Sequence, residues 1–320
     1  MECGFPRPRT KAPEDLPGFL ALHERGLLAG RAEALRGRLR SCTLCPRECR
    51  VDRMSGQTGA CGVADRPKVA AMSIHPWEEP PLSGSNGSGT IFFSGCTLSC
   101  VFCQNYPISQ LGVGREMEVK DLADGMMDLQ RRGAHNLNLV TSTHQMAAVV
   151  EALVLAASRG FRLPVVYNTS GYEHLETLRL LDGIVDIYLP DIKYADPEAA
   201  RKYSGRADYV IHNRAALVEM WRQVGPLRMD EEGVAVKGML VRHLVLPDGL
   251  SGSRECLRFL AVELGPEVWV SLMNQYFPAH LAHGVTPLDR KTTEEEYAHA
   301  CSLLDRFGLE NGFVQSSCED

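Results

Sequence analysis

From residue 90 onward, short β-rich runs alternate with amphipathic segments long enough to be helices. Strands joined through helices pair in parallel with right-handed crossovers. Six such units predict an α/β fold with a partial (β/α)6 barrel rather than a closed eight-stranded one, and a doubly wound sheet is the structural alternative. The predicted strands are 90–94, 137–141, 164–169, 184–190, 238–246 and 267–272, and the predicted helices are 119–132, 144–158, 173–181, 209–223, 253–264 and 293–307.

The residues before this alternation have a different pattern. Leucines at roughly helical spacing predict a helix over 17–38, whereas residues 41–82 are rich in cysteine, proline and glycine and lack periodicity. Such a segment is ordered by a metal more readily than by a hydrophobic core. We therefore expect three parts: an N-terminal helix and Cys-rich metal-binding segment over 1–82, a core barrel over 83–315 and a tail over 316–320.

Composition favours a cytoplasmic protein that binds neither nucleic acid nor a membrane. The net charge is −6, and the basic residues are spread along the chain instead of forming a stripe. The N-terminus lacks the apolar run of a signal peptide, and no later run has the length of a membrane span. The Gly/Ser-rich run 83–89 lacks the Gly-Lys-Ser/Thr ending of a phosphate loop and is predicted to be a flexible turn.

The chain has 11 cysteines, and seven of them form two tight groups before residue 104. In a cytosolic protein, grouped thiols bind metal or carry out redox chemistry more often than they form disulfides. The isolated cysteines are predicted to be packing or bystander thiols; they are Cys3, Cys256, Cys301 and Cys318.

The second group, Cys96, Cys100 and Cys103, has C-x3-C-x2-C spacing and follows the first predicted strand directly. Three thiolates on one short loop can bind three irons of a [4Fe-4S] cluster, which leaves the fourth iron open for a substrate or cofactor. The alternative is a zinc site that takes its fourth ligand elsewhere, although structural zinc prefers four closed ligands.

This motif, with Phe102 in its aromatic position, resembles the hallmark of the radical S-adenosylmethionine (SAM) superfamily, and within it proteins similar to the pyruvate formate-lyase activating enzyme. The following Gln104, Asn105 and Tyr106 and the run 75–95 are similar to that branch, so the resemblance covers residues 41 to about 315. It implies that Cys96, Cys100 and Cys103 are the catalytic cluster ligands. It also implies reductive cleavage of SAM into methionine and a 5′-deoxyadenosyl radical that abstracts hydrogen from a substrate.

Polar residues at the carboxyl ends of the predicted strands are the candidates for binding SAM, because working residues of parallel β/α folds gather there. The resemblance implies that the lysine of the Asp-x-Lys pair helps to hold the SAM carboxylate. Instead of binding SAM, these residues could have structural roles: a helix N-cap at 141–142, a plain turn at 168–172 and surface charge at 191–193. The candidates, with Phe102, are Thr141, Ser142, Asn168, Ser170, Asp191, Lys193 and Arg242.

Two further expectations concern the last two strands. Strand alternation directs only one of Arg242 and His243 inward; we favour Arg242 as the SAM-side residue and treat His243 as an ordinary strand residue. The polar and aromatic loop 273–280 is predicted to face the substrate through Asn274 and Tyr276, or else only to close the barrel end.

The first cysteine group, Cys42, Cys45, Cys49 and Cys61, supplies four thiols, enough to complete either an auxiliary [4Fe-4S] cluster or a structural zinc site. The spacing decides neither. The resemblance favours iron–sulfur, because similar activating enzymes carry auxiliary clusters.

Two functions are compatible with these features. The first is a radical SAM enzyme that receives electrons from reduced flavodoxin or ferredoxin and acts on an unknown substrate, such as a glycyl-radical enzyme or another protein. The second is a non-catalytic iron–sulfur electron-transfer protein. Such a carrier would gain from two closed clusters, whereas one of the two sets has only three cysteines.

Overall fold

The computed structural model of the protein describes residues 16–315. Its strands are β1 (Lys68–His75), β2 (Ser88–Phe93), β3 (Arg115–Glu116), β4 (Leu137–Val140), β5 (Val165–Thr169), β6 (Ile187–Pro190), β7 (Arg228–Met229), β8 (Ala235–Leu244), β9 (Trp269–Met273) and β10 (Gly312–Val314). Its α-helices are α1 (Gly18–Glu24), α2 (Leu27–Gly37), α3 (Pro80–Ser83), α4 (Tyr106–Ser109), α5 (Val119–Arg131), α6 (Met146–Ala157), α7 (Leu175–Leu181), α8 (Pro197–Ser204), α9 (Tyr209–Val224), α10 (Ser253–Phe259) and α11 (Glu294–Phe307).

All these strands belong to one sheet with the order β10-β9-β8-β6-β5-β4-β2-β1-β3, and β7 pairs with β8 outside this path. The pairs from β2 to β10 along the path are parallel, whereas β1 and β3 join antiparallel at one end. A doubly wound sheet would reverse its strand order at a switch point. Here the parallel strands follow their sequence order and the end strands do not meet. The predicted partial barrel is confirmed. The unreversed order of the parallel strands excludes the doubly wound alternative.

The six predicted strands are present, each within three residues of its predicted bounds, and six predicted segments are helical. Two predicted helices differ in detail. The helix expected over 17–38 is two helices, because Gly26 between α1 and α2 adopts φ 70°, a left-handed conformation that interrupts the helical hydrogen bonds. The helix expected over 253–264 is α10 followed by a π-helical turn, Leu260–Leu264.

The N-terminal region is more closely joined to the sheet than its sequence pattern indicates. Strand β1 pairs with β2 although it lies in the segment 41–82, for which no periodic structure was predicted. In α1, the buried ring of Phe19 packs on Phe161 with 6.0 Å between ring centroids, and Leu28 and Leu35 of α2 belong to the same core. The division at residues 82/83 stays a prediction, and both the sheet and the core cross it.

The carboxyl ends of the parallel strands meet at one edge of the sheet. A cavity of about 710 Å³ lies there, and it is lined by residues that follow β2, β4, β5 and β6 and by residues of β8 and β9. No helix within residues 16–315 is both long enough and apolar enough to cross a membrane.

Candidate active site

The cysteine loop (residues 94–103) leaves the carboxyl end of β2 and carries the three cysteines to the cavity wall. The backbone N–H groups of Ser99 and Val101 donate to the carbonyl oxygens of Ser204 and Tyr203, at 3.2 and 2.9 Å. Both acceptors lie at the end of α8, a helix that the sequence did not predict. The conformation of the loop is therefore fixed by an element about a hundred residues further along the chain.

Each cysteine sulfur of this loop has a hydrogen-bond contact. The Leu98 N–H donates to Cys96 Sγ at 3.4 Å, Ser204 Oγ lies 2.9 Å from Cys100 Sγ, and Ser109 Oγ lies 3.2 Å from Cys103 Sγ. Burial raises the pKa of Cys96 to about 12 and raises that of Cys100, against the opposing effect of the Lys193 ammonium. Such thiols lose their protons readily only to a metal, which binds the thiolate.

The residues fit an iron–sulfur cluster better than a single ion. In the described part of the chain, no group of three or more histidine, cysteine, aspartate or glutamate side chains is placed to hold one metal ion. A [4Fe-4S] cube is wider than an ion, and each cysteine binds a different iron. The fit rests on the N–H and O–H groups that contact the sulfurs and on the shared cavity wall.

Gly95 allows the cysteine loop to pass close to the first cysteine group. Its φ is 84°, and a Cβ there would lie 2.3 Å from the Cys61 carbonyl oxygen.

We expect Gly95→Ala to destabilise the fold by at least about 1–3 kcal/mol through backbone strain alone and to lower the iron content. Gly30→Ala in α2, where a Cβ meets nothing within 4 Å, is the matched control for thermal melting and iron analysis. Equal melting temperatures for the two variants would contradict the prediction.

Four of the predicted SAM-site residues are joined by hydrogen bonds on the cavity wall. Arg242 Nε donates to Asp191 Oδ1 at 2.9 Å and its Nη2 donates to Asn168 Oδ1 at 2.7 Å, while Lys193 Nζ donates to Asp191 Oδ2 at 2.6 Å. Burial would raise the pKa of Asp191, but the two cations hold it below its ordinary value. Burial likewise opposes charge on Lys193, yet Asp191 raises its pKa. All three groups are therefore ionised, with two positive charges facing one negative charge.

The remaining SAM-site candidates are divided by the structure. Thr141 lines the cavity with φ 58°, and its N–H donates to the Asn168 carbonyl at 3.0 Å; Ser170 also lines the cavity. Ser142 is fully buried and does not line it; its hydroxyl makes no capping hydrogen bond, so the N-cap alternative is not observed either. Ser142 Oγ has no partner among the described residues.

The residues expected to face the substrate do not line the cavity. Successive side chains of a strand point to opposite faces, and along β9 and its continuation Ser271, Met273 and Gln275 are the lining residues. Asn274 therefore points away, and Tyr276 is buried, with its hydroxyl donating to the Leu288 carbonyl at 2.6 Å. Within this loop, Met273 and Gln275 line the cavity, and the substrate role expected for Asn274 and Tyr276 stays a prediction.

Two other predicted residues are buried beside the site. The Phe102 ring packs edge-on against the Tyr276 ring, with 5.9 Å between centroids. Both rings belong to the hydrophobic cluster against which the cysteine loop packs. His243 lies on the strand face opposite Arg242, where its ring nitrogens contact the Ile192 carbonyl at 2.7 Å and Ser253 Oγ at 2.9 Å. Its burial lowers its pKa to about 4, so it is neutral, like an ordinary strand residue.

The sequence pattern predicted no role in the site for the residues around the end of β1 and the start of α3. His75, Trp77, Glu78 and Glu79 line the cavity with the cysteines, and Trp77 is 83% exposed. Burial raises the pKa of Glu78 to about 7, although Arg242 opposes this increase. Glu79 Oε2 is buried with no partner in the described chain. The sequence feature that could have indicated these residues is the pair of adjacent glutamates in the run 75–81, just before the Gly/Ser turn.

The first cysteine group packs against the back of the cysteine loop. The side chain of Arg47, which lies between Cys45 and Cys49, donates to the Thr97 carbonyl. Burial raises the pKa of Cys45 to about 12 and also raises that of Cys61. Residues 42–61 therefore hold buried thiols directly beside the cluster loop.

Glu173 is a fully buried carboxyl next to this region, and burial raises its pKa to about 7 even though Thr169 and Thr143 hydroxyls donate to it. Because its folded-state pKa lies above the unfolded value, its stabilisation is complete below about pH 4.3 and is lost as pH rises through 7. We expect the free energy of unfolding of Glu173→Gln, relative to wild type, to increase by about 2 kcal/mol between pH 5.5 and 8. Melting curves across that range test this. Glu176→Gln, an exposed change in the first turn of α7, should show no such gain.

Comparisons with known proteins agree with this site. Residues 90–226 match the family model described as the radical SAM superfamily. This match covers 137 of the 320 residues of the chain and makes the chain similar to the radical SAM superfamily. That superfamily implies an enzyme with a [4Fe-4S] cluster and SAM as cofactors.

The chain is also similar to an uncharacterised protein of Methanocaldococcus jannaschii, MJ0674, which is 28% identical over 89% of the chain and 80% of that protein. The pyruvate formate-lyase-activating enzyme of Clostridium pasteurianum is 24% identical over 59% of the chain and 74% of the enzyme.

Two solved structures are similar to the chain. Streptococcus suis SuiB has a TM-score of 0.45 and 12% identity over 71% of this chain. The FeFe-hydrogenase maturase HydG of Carboxydothermus hydrogenoformans has a TM-score of 0.45 and 14% identity over 69% of this chain. The chain spans about half the length of these two structures, 48% and 50%.

Proposed function

We propose that this protein cleaves SAM reductively into methionine and a 5′-deoxyadenosyl radical that abstracts hydrogen from a substrate in the cavity. One observation carries the proposal. The three hydrogen-bonded cysteines and the ion group of Asp191, Lys193 and Arg242 line the same cavity of about 710 Å³. That volume lies in the range of ligand sites, about 300–1,000 Å³.

Cys96, Cys100 and Cys103 would hold the cluster, which supplies the electron for cleavage when bound. Lys193 and Arg242 provide positive charge for a carboxylate such as that of SAM, and Asp191 keeps both cations in place. Thr141 and Ser170 add polar groups at the neighbouring strand ends. The protein thus contributes binding, orientation and exclusion of water rather than acid–base catalysis.

The test is product formation without any added substrate. Anaerobically reconstituted protein with dithionite and SAM should release 5′-deoxyadenosine and methionine, measured by chromatography. Release that is equal with and without dithionite would contradict reductive cleavage. A reducible cluster that forms no product, and whose electron paramagnetic resonance is unchanged by SAM, would instead favour a non-catalytic electron-transfer protein.

The similarity to an activating enzyme supports a proposal about the class of substrate and the electron donor. We infer that a protein substrate, such as a glycyl-radical enzyme, docks at the cavity mouth beside the exposed Trp77, and that reduced flavodoxin or ferredoxin supplies the electron in the cytoplasm. A 24% identical relative named pyruvate formate-lyase-activating enzyme supports this inference.

We further propose that Cys42, Cys45, Cys49 and Cys61 bind a second metal group, an auxiliary [4Fe-4S] cluster in preference to zinc. Four buried or half-buried thiols beside the cysteine loop support it. Elemental analysis of anaerobically purified protein distinguishes the two: stoichiometric zinc with the iron of only one cluster would exclude the auxiliary cluster.

A further inference from the structure

Arg53, within the first cysteine group, is a buried arginine. It is 2% exposed, and it lies between Cys49 and Cys61 in sequence. Its Nε and Nη2 donate to the Ala64 carbonyl, and its Nη1 donates to the His144 carbonyl at 2.6 Å. An arginine keeps its positive charge in a protein interior, so this charge needs a compensating negative charge nearby.

No carboxylate supplies that charge. Within residues 16–315, the guanidinium of Arg53 has no Asp or Glu oxygen within the 4.0 Å of an ion pair. Its contact other than the two carbonyls is Cys42 Sγ, 3.8 Å from Nη1. Glu173, the carboxyl that acts on Cys45, is instead held by Thr143 and Thr169. The cysteine sulfurs are therefore the remaining candidates for the counter-charge.

The backbone also acts on the other three sulfurs. The Ala60 N–H donates to Cys49 Sγ at 3.5 Å. Burial raises the pKa of Cys45 and of Cys61, and the backbone N–H groups of Arg47 and Val63 oppose this increase. N–H groups directed at sulfur stabilise metal-bound thiolates and tune the potential of iron–sulfur clusters. Cys42 and Cys49 thus have donors directed at their sulfurs, as thiolates would.

We propose that the four N-terminal cysteines hold an anionic metal–thiolate centre whose buried counter-ion is Arg53. This rests on the proposed second metal group. Four thiolates around a [4Fe-4S]²⁺ cluster carry about two negative charges in total, and a cluster suits these four described cysteines better than one ion, because no group of them is placed to hold a single metal ion. Arg53 neutralises part of that charge through Cys42 and binds the His144 carbonyl, which fixes the centre to the segment before α6.

The test compares Arg53→Met and Arg53→Lys with wild type in a background in which Cys96, Cys100 and Cys103 are alanine, so that only the first group binds metal. We expect Arg53→Met to lower metal retention against a chelator by roughly 10–100-fold and Arg53→Lys to lower it less. Arg50→Met, in the same segment with its side chain 64% exposed, is the matched control. Wild-type retention in Arg53→Met would overturn the proposal.

A second readout separates charge compensation from a purely structural role. With metal bound, Arg53→Met should lower the melting temperature; after the metal is removed, the same change should lower it less or raise it, because the uncompensated charge is gone. A structural role through the Ala64 and His144 carbonyls would cost the same in both states and would overturn the proposal. A parent background that binds no metal would refute the second metal group itself, while deoxyadenosine release by the native protein tests the radical chemistry separately.

Discussion

The Cys100→Ala variant is expected to lose deoxyadenosine formation by more than roughly a hundredfold, because even loss of an outer partner of a metal ligand costs about 10–100-fold. Cys100 is one of three thiolates for the proposed cluster, and its sulfur contacts Ser204, whose hydroxyl lies 2.8 Å from the Tyr194 hydroxyl. Alanine removes the ligand and leaves this buried polar pair unchanged. Loss of activity would therefore follow loss of the cluster rather than of the fold.

Iron content, visible absorbance and product release should fall together in this variant. Cys301→Ala on α11 is the control, because that thiol is half-buried and does not line the cavity. A Cys100→Ala protein that still releases deoxyadenosine at the wild-type rate would contradict the assignment of the three-cysteine cluster.

The fold was predictable because its signal is repeated. Strands such as β4 and β5 are short apolar runs buried on both faces, and the helices between them have apolar stripes, so periodicity locates both. The elements that were missed lack this signal. Strand β10 has three residues, and β1 is only partly buried because it lies near the sheet's antiparallel end. Their positions depend on pairing with neighbours, which a single sequence does not reveal.

The placement of polar residues on the cavity wall was predictable near the carboxyl end of a buried strand. Asp191 directly follows β6 and Arg242 lies near the end of β8, and the structure places their side chains 2.9 Å apart. Asn274 does not line the cavity, because the strand phase beyond β9 could not be read from the sequence and a shift of one residue reverses the side of the sheet. Glu78 and Glu79 were not assigned because they lie in the connection between β1 and β2, which pair antiparallel, and the rule about carboxyl ends applies to parallel strands.

Replacement of Asp191 by asparagine is expected to have the largest effect on stability among changes to the cavity wall. The carboxylate is 14% exposed and neutralises Lys193 and Arg242, which are 20% and 18% exposed. Loss of one partner leaves buried cations uncompensated, which costs about 3–5 kcal/mol for a fully buried pair; we expect the lower end, about 3 kcal/mol, beside an open cavity. In a chain of this size that corresponds to a fall of about 5 °C in melting temperature.

The pH dependence of this effect has a definite sign. Because the folded-state pKa of Asp191 is lowered, its stabilisation is complete above the unfolded value of about 3.9 and is lost as pH falls through the folded value. The Asp191 carboxyl itself should therefore contribute no pH dependence to the melting difference between wild type and Asp191→Asn from pH 6 to 8. Asp124→Asn is the control, since Asp124 also pairs with a lysine and an arginine but is exposed, where such pairs contribute little. Equal melting temperatures for the two variants would show that Asp191 does not hold the cations of the cavity, and that other carboxyl groups near Arg242, such as Glu78 and Glu79, compensate its charge instead.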